Sequence, residues 1–280
     1  MEGIAMEIIH FDNRFQEFAG QWFEKRGAVY ATFDAMEADM NNVYAAFLNT
    51  PASWLGGVTP GAYFTQFEDP KLLVDWMVQY VRKGVPVPDL LLEQIVQVGK
   101  PCEKRLVTLL KEEGTPEEAA MTAITLLQEL GSTQPKMTYI QMQLHRQAED
   151  DLADHAMESL TEMGDVVVQP ILEVLDTACP AGQEAFLEVL SHFRPTEKVF
   201  QLGLRLFQEN PERSALFASY LSRMGDQRAL PALMERIQSD QISYHDYIDL
   251  RSAIESLGGE APQRTFDRKK KNDSRSGVKH

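Results

Sequence analysis

Residues 221–237 read LSRMGDQRALPALMERI, and a near-copy, LTEMGDVVVQPILEVL, stands at 160–175. Both run leucine, two polar residues, Met-Gly-Asp, and a proline six residues past the glycine. An internal repeat constrains a fold more tightly than composition does. Each unit is too small to bury its own apolar face, so neighbouring units must bury it together. Stepping outward from Gly164 and Gly225 gives the anchors Gly99, Gly131, Gly164, Arg194, Gly225 and Gly258, at intervals of 32, 33, 30, 31 and 33 residues.

The residues before each anchor share a pattern. One position before it stand Val98, Leu130, Met163, Phe193, Met224 and Leu257. Four before it stand Ile95, Leu127, Leu160, Leu190, Leu221 and Ile254, and eight before it Leu91, Ala123, Ala156, Phe186, Phe217 and Leu250. All are apolar, and these offsets share one face of a helix. Glycine then ends the helix in a left-handed cap. At Arg194 the following Pro195 does so instead, because a residue before proline avoids the helical region. A second helix is expected after each anchor. VVVQPILEVL and RALPALMERI place proline in the first turn, where its missing N–H costs nothing, and PCEKRLVTLLKEE and TEKVFQLGLRLFQ occupy equivalent stretches.

Helix, Gly-Asp, helix with early proline: over about residues 85–260 this resembles the short HEAT-like repeats of the phycobilisome-lyase type. The Met-Gly-Asp form is clear in two units and worn in the others. The resemblance implies an all-α fold, an α-solenoid of helical hairpins serving as a binding scaffold. The expected division is an N-terminal helical cap at 1–65, the repeat solenoid at 66–260 and a disordered basic tail at 261–280.

At the front, Phe11, Phe15, Phe18, Trp22 and Phe23 fit one helical face, and DAMEADMNNVYAAFLN predicts a further helix opened by Asp34 and Glu37. Both suit a cap that covers the end repeat. Asn49-Thr50-Pro51 breaks that helix, Gly56-Gly57 bends the chain, and Thr59-Pro60 and Asp69-Pro70 read as helix starts. Residues 47–64 are similar to the LNTP…LGG…TP segment of the toxin-binding domain in Xre/ParS-type antitoxins. That likeness implies a toxin binder, although no DNA-binding helix-turn-helix precedes it here.

Charge limits the partners. The net charge is −15, yet the last 17 residues carry seven Lys/Arg and two Asp, a net of +5, so residues 1–263 carry −20. Such a body repels nucleic acid, and no DNA partner is expected there. The RKKK run at 268–271 suits an anionic contact, or a fold-back of Lys269, Lys270 and Lys271 onto the chain's own acidic face. No window approaches ~18 apolar residues, so no membrane span is expected. Cys102 and Cys179 are far apart and read as reduced cysteines of a cytoplasmic protein.

Motifs for chemistry are missing. No His-Glu dipeptide occurs, and His10, His145, His155, His192, His245 and His280 are scattered, so neither a metal nor a cofactor is expected. The cluster SYHDY at 243–247 is explained by Ser243 and Asp246 at a helix start. No G-x-S-x-G elbow or phosphate loop is present. The expected function is therefore a non-catalytic protein–protein scaffold. The alternatives are an enzyme or enzyme accessory of the bilin-lyase kind, which would fit the repeat type although the resemblance does not by itself imply lyase activity, and an antitoxin-like binder.

One pattern points to a binding surface. Positions 13, 10, 6 and 2 before each anchor lie opposite the apolar face. Glu118, Asp151 and Glu212 stand at the first, Asp89, Asp154 and Glu184 at the second, Glu93, Glu158 and Glu188 at the third, and Glu129 and Glu162 at the last. The only Lys or Arg in these columns is Arg223. A helix start favours acids for its dipole, which accounts for the first column only. The stripe fits a basic protein segment as partner, with Glu118, Asp151, Asp154, Glu158, Glu184, Glu188 and Glu212 as its contacts. It also fits a purely solubilising face. In HEAT-type stacks one helix of each unit lines the groove, and the resemblance places the stripe there.

Overall fold

A computed structural model describes residues 6–26 and 32–266 of the chain. It is all-helical, with no strand among the described residues. The α-helices are α1 (Phe11–Arg26), α2 (Phe33–Ala38), α3 (Met40–Asn49), α4 (Pro70–Arg82), α5 (Asp89–Val98), α6 (Lys100–Leu109), α7 (Glu117–Glu129) and α8 (Lys136–Leu144). There follow α9 (Asp151–Glu162), α10 (Val168–Val174), α11 (Pro180–Ser191), α12 (Glu197–Glu209), α13 (Ser214–Met224), α14 (Leu230–Ile237) and α15 (Tyr244–Ser256). Short 3-10 turns link several of them, and the chain forms two compact units, residues 1–135 and 136–280.

The repeat register holds in both units. Helices α5, α7, α9, α13 and α15 end at or just before Gly99, Gly131, Gly164, Gly225 and Gly258, and each of these glycines has positive φ. Gly225 shows why: at φ 71°, ψ 15° it is left-handed, and its N–H reaches back to the Ser222 carbonyl. A Cβ there costs backbone strain of about 1–2 kcal/mol. The residues four and eight before every anchor are buried, none more than 2 % exposed. Those one before are buried only at Met224 and Leu257 and half-buried elsewhere.

In the first unit, Leu73, Trp76, Met77 and Tyr80 of α4 are fully buried with Leu91 and Ile95 of α5 and Leu106 of α6. Asp69 caps α4 by accepting from the N–H groups of Lys71 and Leu72, with Pro70 next in line. Trp76 donates its indole N–H to the Glu7 carbonyl at 3.0 Å, and the Tyr80 hydroxyl bonds both the N–H and the carbonyl of Ile9 at 3.2 Å. These bonds hold residues 7–9 on α4. Helix α1 packs on α3 through Phe15 and Phe18 against Phe47. Gly56 and Gly57 have positive φ and bend the chain. Thr59 precedes a single 3-10 turn, and its side chain makes no capping bond.

Several sequence expectations need correction. Thr59-Pro60, expected to start a helix, opens only that 3-10 turn, and among the described residues no helix follows Gly258. The helix expected from Asp34 to Asn49 is two helices, broken at Asp39. There the carboxylate takes the Asn42 side-chain amide at 2.6 Å and the backbone carbonyl accepts from Asn42 and Val43, so a new helix starts. The tail expected to be disordered from residue 261 instead lies against α15 through residues 262–266. Tyr247 donates to the Pro262 carbonyl, Phe266 packs on Tyr244 and Tyr247, and Arg264 donates to the Ser239 carbonyl at 2.5 Å. Residues 267–280, with the RKKK run, lie outside the described residues.

In the second unit, consecutive helices pair as α8 with α9, α11 with α12, α12 with α13 and α14 with α15, while α9, α11, α13 and α15 also pack in series. Helix α11 approaches the end of α8 closely. The Cys179 N–H donates to the Leu144 carbonyl, and a Cβ on Gly182 would lie 2.2 Å from the Gln143 carbonyl oxygen. Two glycines therefore matter for different reasons. Gly225→Ala meets no atom within 4 Å and should cost only the strain of its φ, about 1–2 kcal/mol. Gly182→Ala has ordinary φ but collides with backbone, and should cost about 1–3 kcal/mol or more through forced displacement of α11. Urea denaturation of both variants checks this; a Gly182→Ala protein as stable as the parent would contradict the close approach.

Candidate functional site

Burial of the residues four and eight before each anchor turns the opposite side of the same helices outward. None of the positions 13, 10, 6 and 2 before the anchors is buried. In the first unit this face shows Asp89 and Glu93 on α5 and Glu118 and Glu129 on α7, all exposed. In the second it shows Asp151, Asp154, Glu158 and Glu162 on α9, Glu184 and Glu188 on α11, and Glu212 just before α13.

Asp154, Glu184 and Glu188 come together. They line one cleft of about 440 Å³ in the second unit, with Arg146, Asn210 and Arg213 beside them and Met157, Ala185 and Leu206 among its apolar lining. Asp151 and Glu158 lie exposed on α9 and carry no ion pair among the described residues, nor does Glu118 in the other unit. Glu212 is exposed beside Arg213.

The stripe is less uniformly acidic than the four columns suggest, because two arginines enter it from outside them. Arg146, in the loop after α8, has a side chain only 6 % exposed and donates to Asp154 at 2.5 Å. It also donates to the Gln143 side-chain oxygen at 3.0 Å, and Gln143 in turn donates to the Ala153 carbonyl at 2.8 Å. A guanidinium this buried is tolerable only with such partners. Arg213 donates to both carboxylate oxygens of Glu184, one at 2.6 Å, and lies over the Phe217 ring. The Glu184 hydrogen bond holds Arg213 above its usual range. Asp154 and Glu184 therefore face away from the core, as expected, but each is already paired. Reversing either to lysine would set like charges together.

Further along, Tyr220 donates to Glu188 at 3.0 Å, and Arg223 donates to the Ser191 hydroxyl at 2.9 Å and lies 2.7 Å from the His192 ring nitrogen. His192 is pushed down from its ordinary value by burial and then by the charge of Arg223. These contacts share a spacing. Glu184 to Arg213 spans 29 residues, Glu188 to Tyr220 and Ser191 to Arg223 span 32, and Glu197 to Arg228 spans 31. In the first unit Asp75 to Arg105 spans 30. Each joins side chains about one repeat apart, so polar pairs staple successive repeats. Reading each column alone missed Arg146, Arg213 and Tyr220; pairing residues one repeat step apart would have found the last two.

Other sequence candidates resolve locally. Ser243 caps α15, accepting from the Asp246 N–H and donating to its carboxylate. Cys102 and Cys179 are both free, and Cys102 is buried, which pushes its thiol up to about 11. Among the described residues no group of His, Cys, Asp or Glu is arranged to hold a metal ion, and no helix is long and apolar enough to cross a membrane. Comparison with known proteins gives no match: no family model, no curated protein and no solved structure is significantly similar to the chain.

The Tyr220 phenol is pushed above its ordinary value, by burial first and then by the Glu188 charge. A group whose pKa rises on folding keeps its proton in the native state, so its contribution is complete below about pH 10 and is lost as the pH rises beyond that. Unfolding free energy measured by denaturant between pH 8 and 11 should fall across this range, and less steeply in Tyr220→Phe. Identical slopes for the two proteins would contradict the assignment.

Proposed function

We propose that this chain is a HEAT-like α-solenoid scaffold, without catalytic activity of its own, that binds a basic protein segment through the outward face of its pre-anchor helices. One observation carries the reading. The acids opposite the core recur on successive helices, and three of those in the second unit, Asp154, Glu184 and Glu188, gather at a cleft with apolar lining. Unpaired Asp151 and Glu158, with Glu212, stand outside that cleft on the same unit. A face used only for solubility has no need of a cleft.

Carboxylates repeated along packed helices attract a cationic chain before contact and so act mainly on the association rate. Each exposed pair contributes little, about 0.2–1 kcal/mol. Binding therefore depends on several such contacts together with an apolar anchor, for which Met157 and Leu206 are available. It weakens with salt, since exposed charges are screened over roughly 8–10 Å at physiological ionic strength.

The triple variant Asp151→Lys, Glu158→Lys, Glu212→Lys avoids every salt-bridged acid. It should melt as the parent does and bind a synthetic Lys/Arg-rich peptide about tenfold more weakly at low salt, mostly through slower association. Stopped-flow anisotropy against ionic strength measures both quantities. Unchanged association in the triple variant, or binding indifferent to salt, would leave the stripe a solubilising face.

A further inference from the structure

The cleft in the second unit has an uneven hydrogen-bond inventory. On the donor side, all three nitrogens of Arg146 are used: one on Asp154, one on Gln143 and one on the Gln147 carbonyl. Arg213 is held two-fold by Glu184. Asn210 gives its side-chain N–H to the Leu206 carbonyl at 2.8 Å. On the acceptor side, three oxygens have no donor among the described residues: the second carboxylate oxygen of Glu188, the second oxygen of Asp154, and the side-chain oxygen of Asn210. Charge follows the same pattern. Arg146 offsets Asp154 and Arg213 offsets Glu184, whereas Glu188 is bonded only to a neutral phenol. The cleft thus retains about one negative charge and spare acceptors on three residues.

We infer that this cleft seats a single arginine side chain of the basic partner, with Glu188 as its counter-ion. The inference rests on the proposed function and names the anchor within that face. Guanidinium has five N–H donors in a planar fork and no acceptor, which complements three open acceptor oxygens on separate residues. Its three methylenes lie along Met157, Ala185 and Leu206, which line the same cleft. A lysine ammonium is a compact point charge with three donors and serves fewer of these oxygens. An anionic ligand finds no unused cation, because both arginines are already bonded to carboxylates.

The test uses the full chain and three lysine-rich peptides that differ at one central position: arginine, citrulline or lysine. Citrulline keeps the shape and removes the charge. The arginine peptide should bind about tenfold more tightly than the citrulline peptide, as the loss of a charge-assisted hydrogen bond predicts, and more tightly than the lysine peptide. Glu188→Gln retains an acceptor for Tyr220 and should remove the arginine preference, weakening the arginine peptide more than the citrulline peptide. Ala181→Trp, which fills the cleft from a half-exposed position without changing charge, should remove it too. Equal affinities for the three peptides, or a preference that survives both variants, overturns the inference while leaving the scaffold reading intact. If no peptide binds, the scaffold reading falls, and NMR titration with arginine amide decides the cleft alone. Shifts at Glu188 and Asn210 uphold it, and their absence overturns it.

Discussion

Everything in this fold depends on two buried positions per repeat. The side chains four and eight before each anchor are sealed from water in every unit, from Leu91 and Ile95 to Leu250 and Ile254. Burying one such side chain contributes roughly 1.5–3 kcal/mol. Two per helix fix the helix's rotation, and once the rotation is fixed, the opposite side must face solvent. The outward placement of the acids is thus a geometric consequence of the core. A helix rotated by two residues, a little over half a turn, would bury Glu93, Glu158 and Glu188 instead.

Glycine at the anchors makes that rotation repeatable. Each anchor glycine has positive φ, which lets the chain leave the helix there without the strain an L side chain would carry. Where Arg194 replaces glycine, the chain still turns, with Pro195 and the capping side chain of Thr196 setting the start of α12. Polar pairs then add register between neighbours: Glu184 with Arg213, Glu188 with Tyr220, Glu197 with Arg228. Exposed pairs such as the last add little energy, but they penalise a slip by one helical position.

The core register was legible because it rests on side-chain type at a fixed spacing, and that information is local. The anchors, the buried pair of positions and the outward direction of Glu158 and Glu188 follow from it. What was not legible depends on contacts between segments. The break at Asp39 is a single tightened turn, where the Asp39 N–H bonds the Met36 carbonyl three residues back within an otherwise continuous helical pattern. The pairing of Asp154 depends on Arg146, which lies in a loop outside the repeat columns. Residues 262–266 look like tail by composition, yet Phe266 and Pro262 find partners on α15 that polarity alone does not reveal.

The central claim is that two faces of one helix have separable roles, stability on one and binding on the other. Helix α9 tests it most directly, because Leu160 and Glu158 stand two residues apart with opposite exposure. Melting temperature and basic-peptide affinity should be measured together for Leu160→Ala and Glu158→Lys. Leu160→Ala should lose about 2–5 kcal/mol of stability and keep its affinity wherever it remains folded. Glu158→Lys should keep its melting temperature and lose affinity. If both quantities move together in either variant, the separation of core face from binding face is wrong.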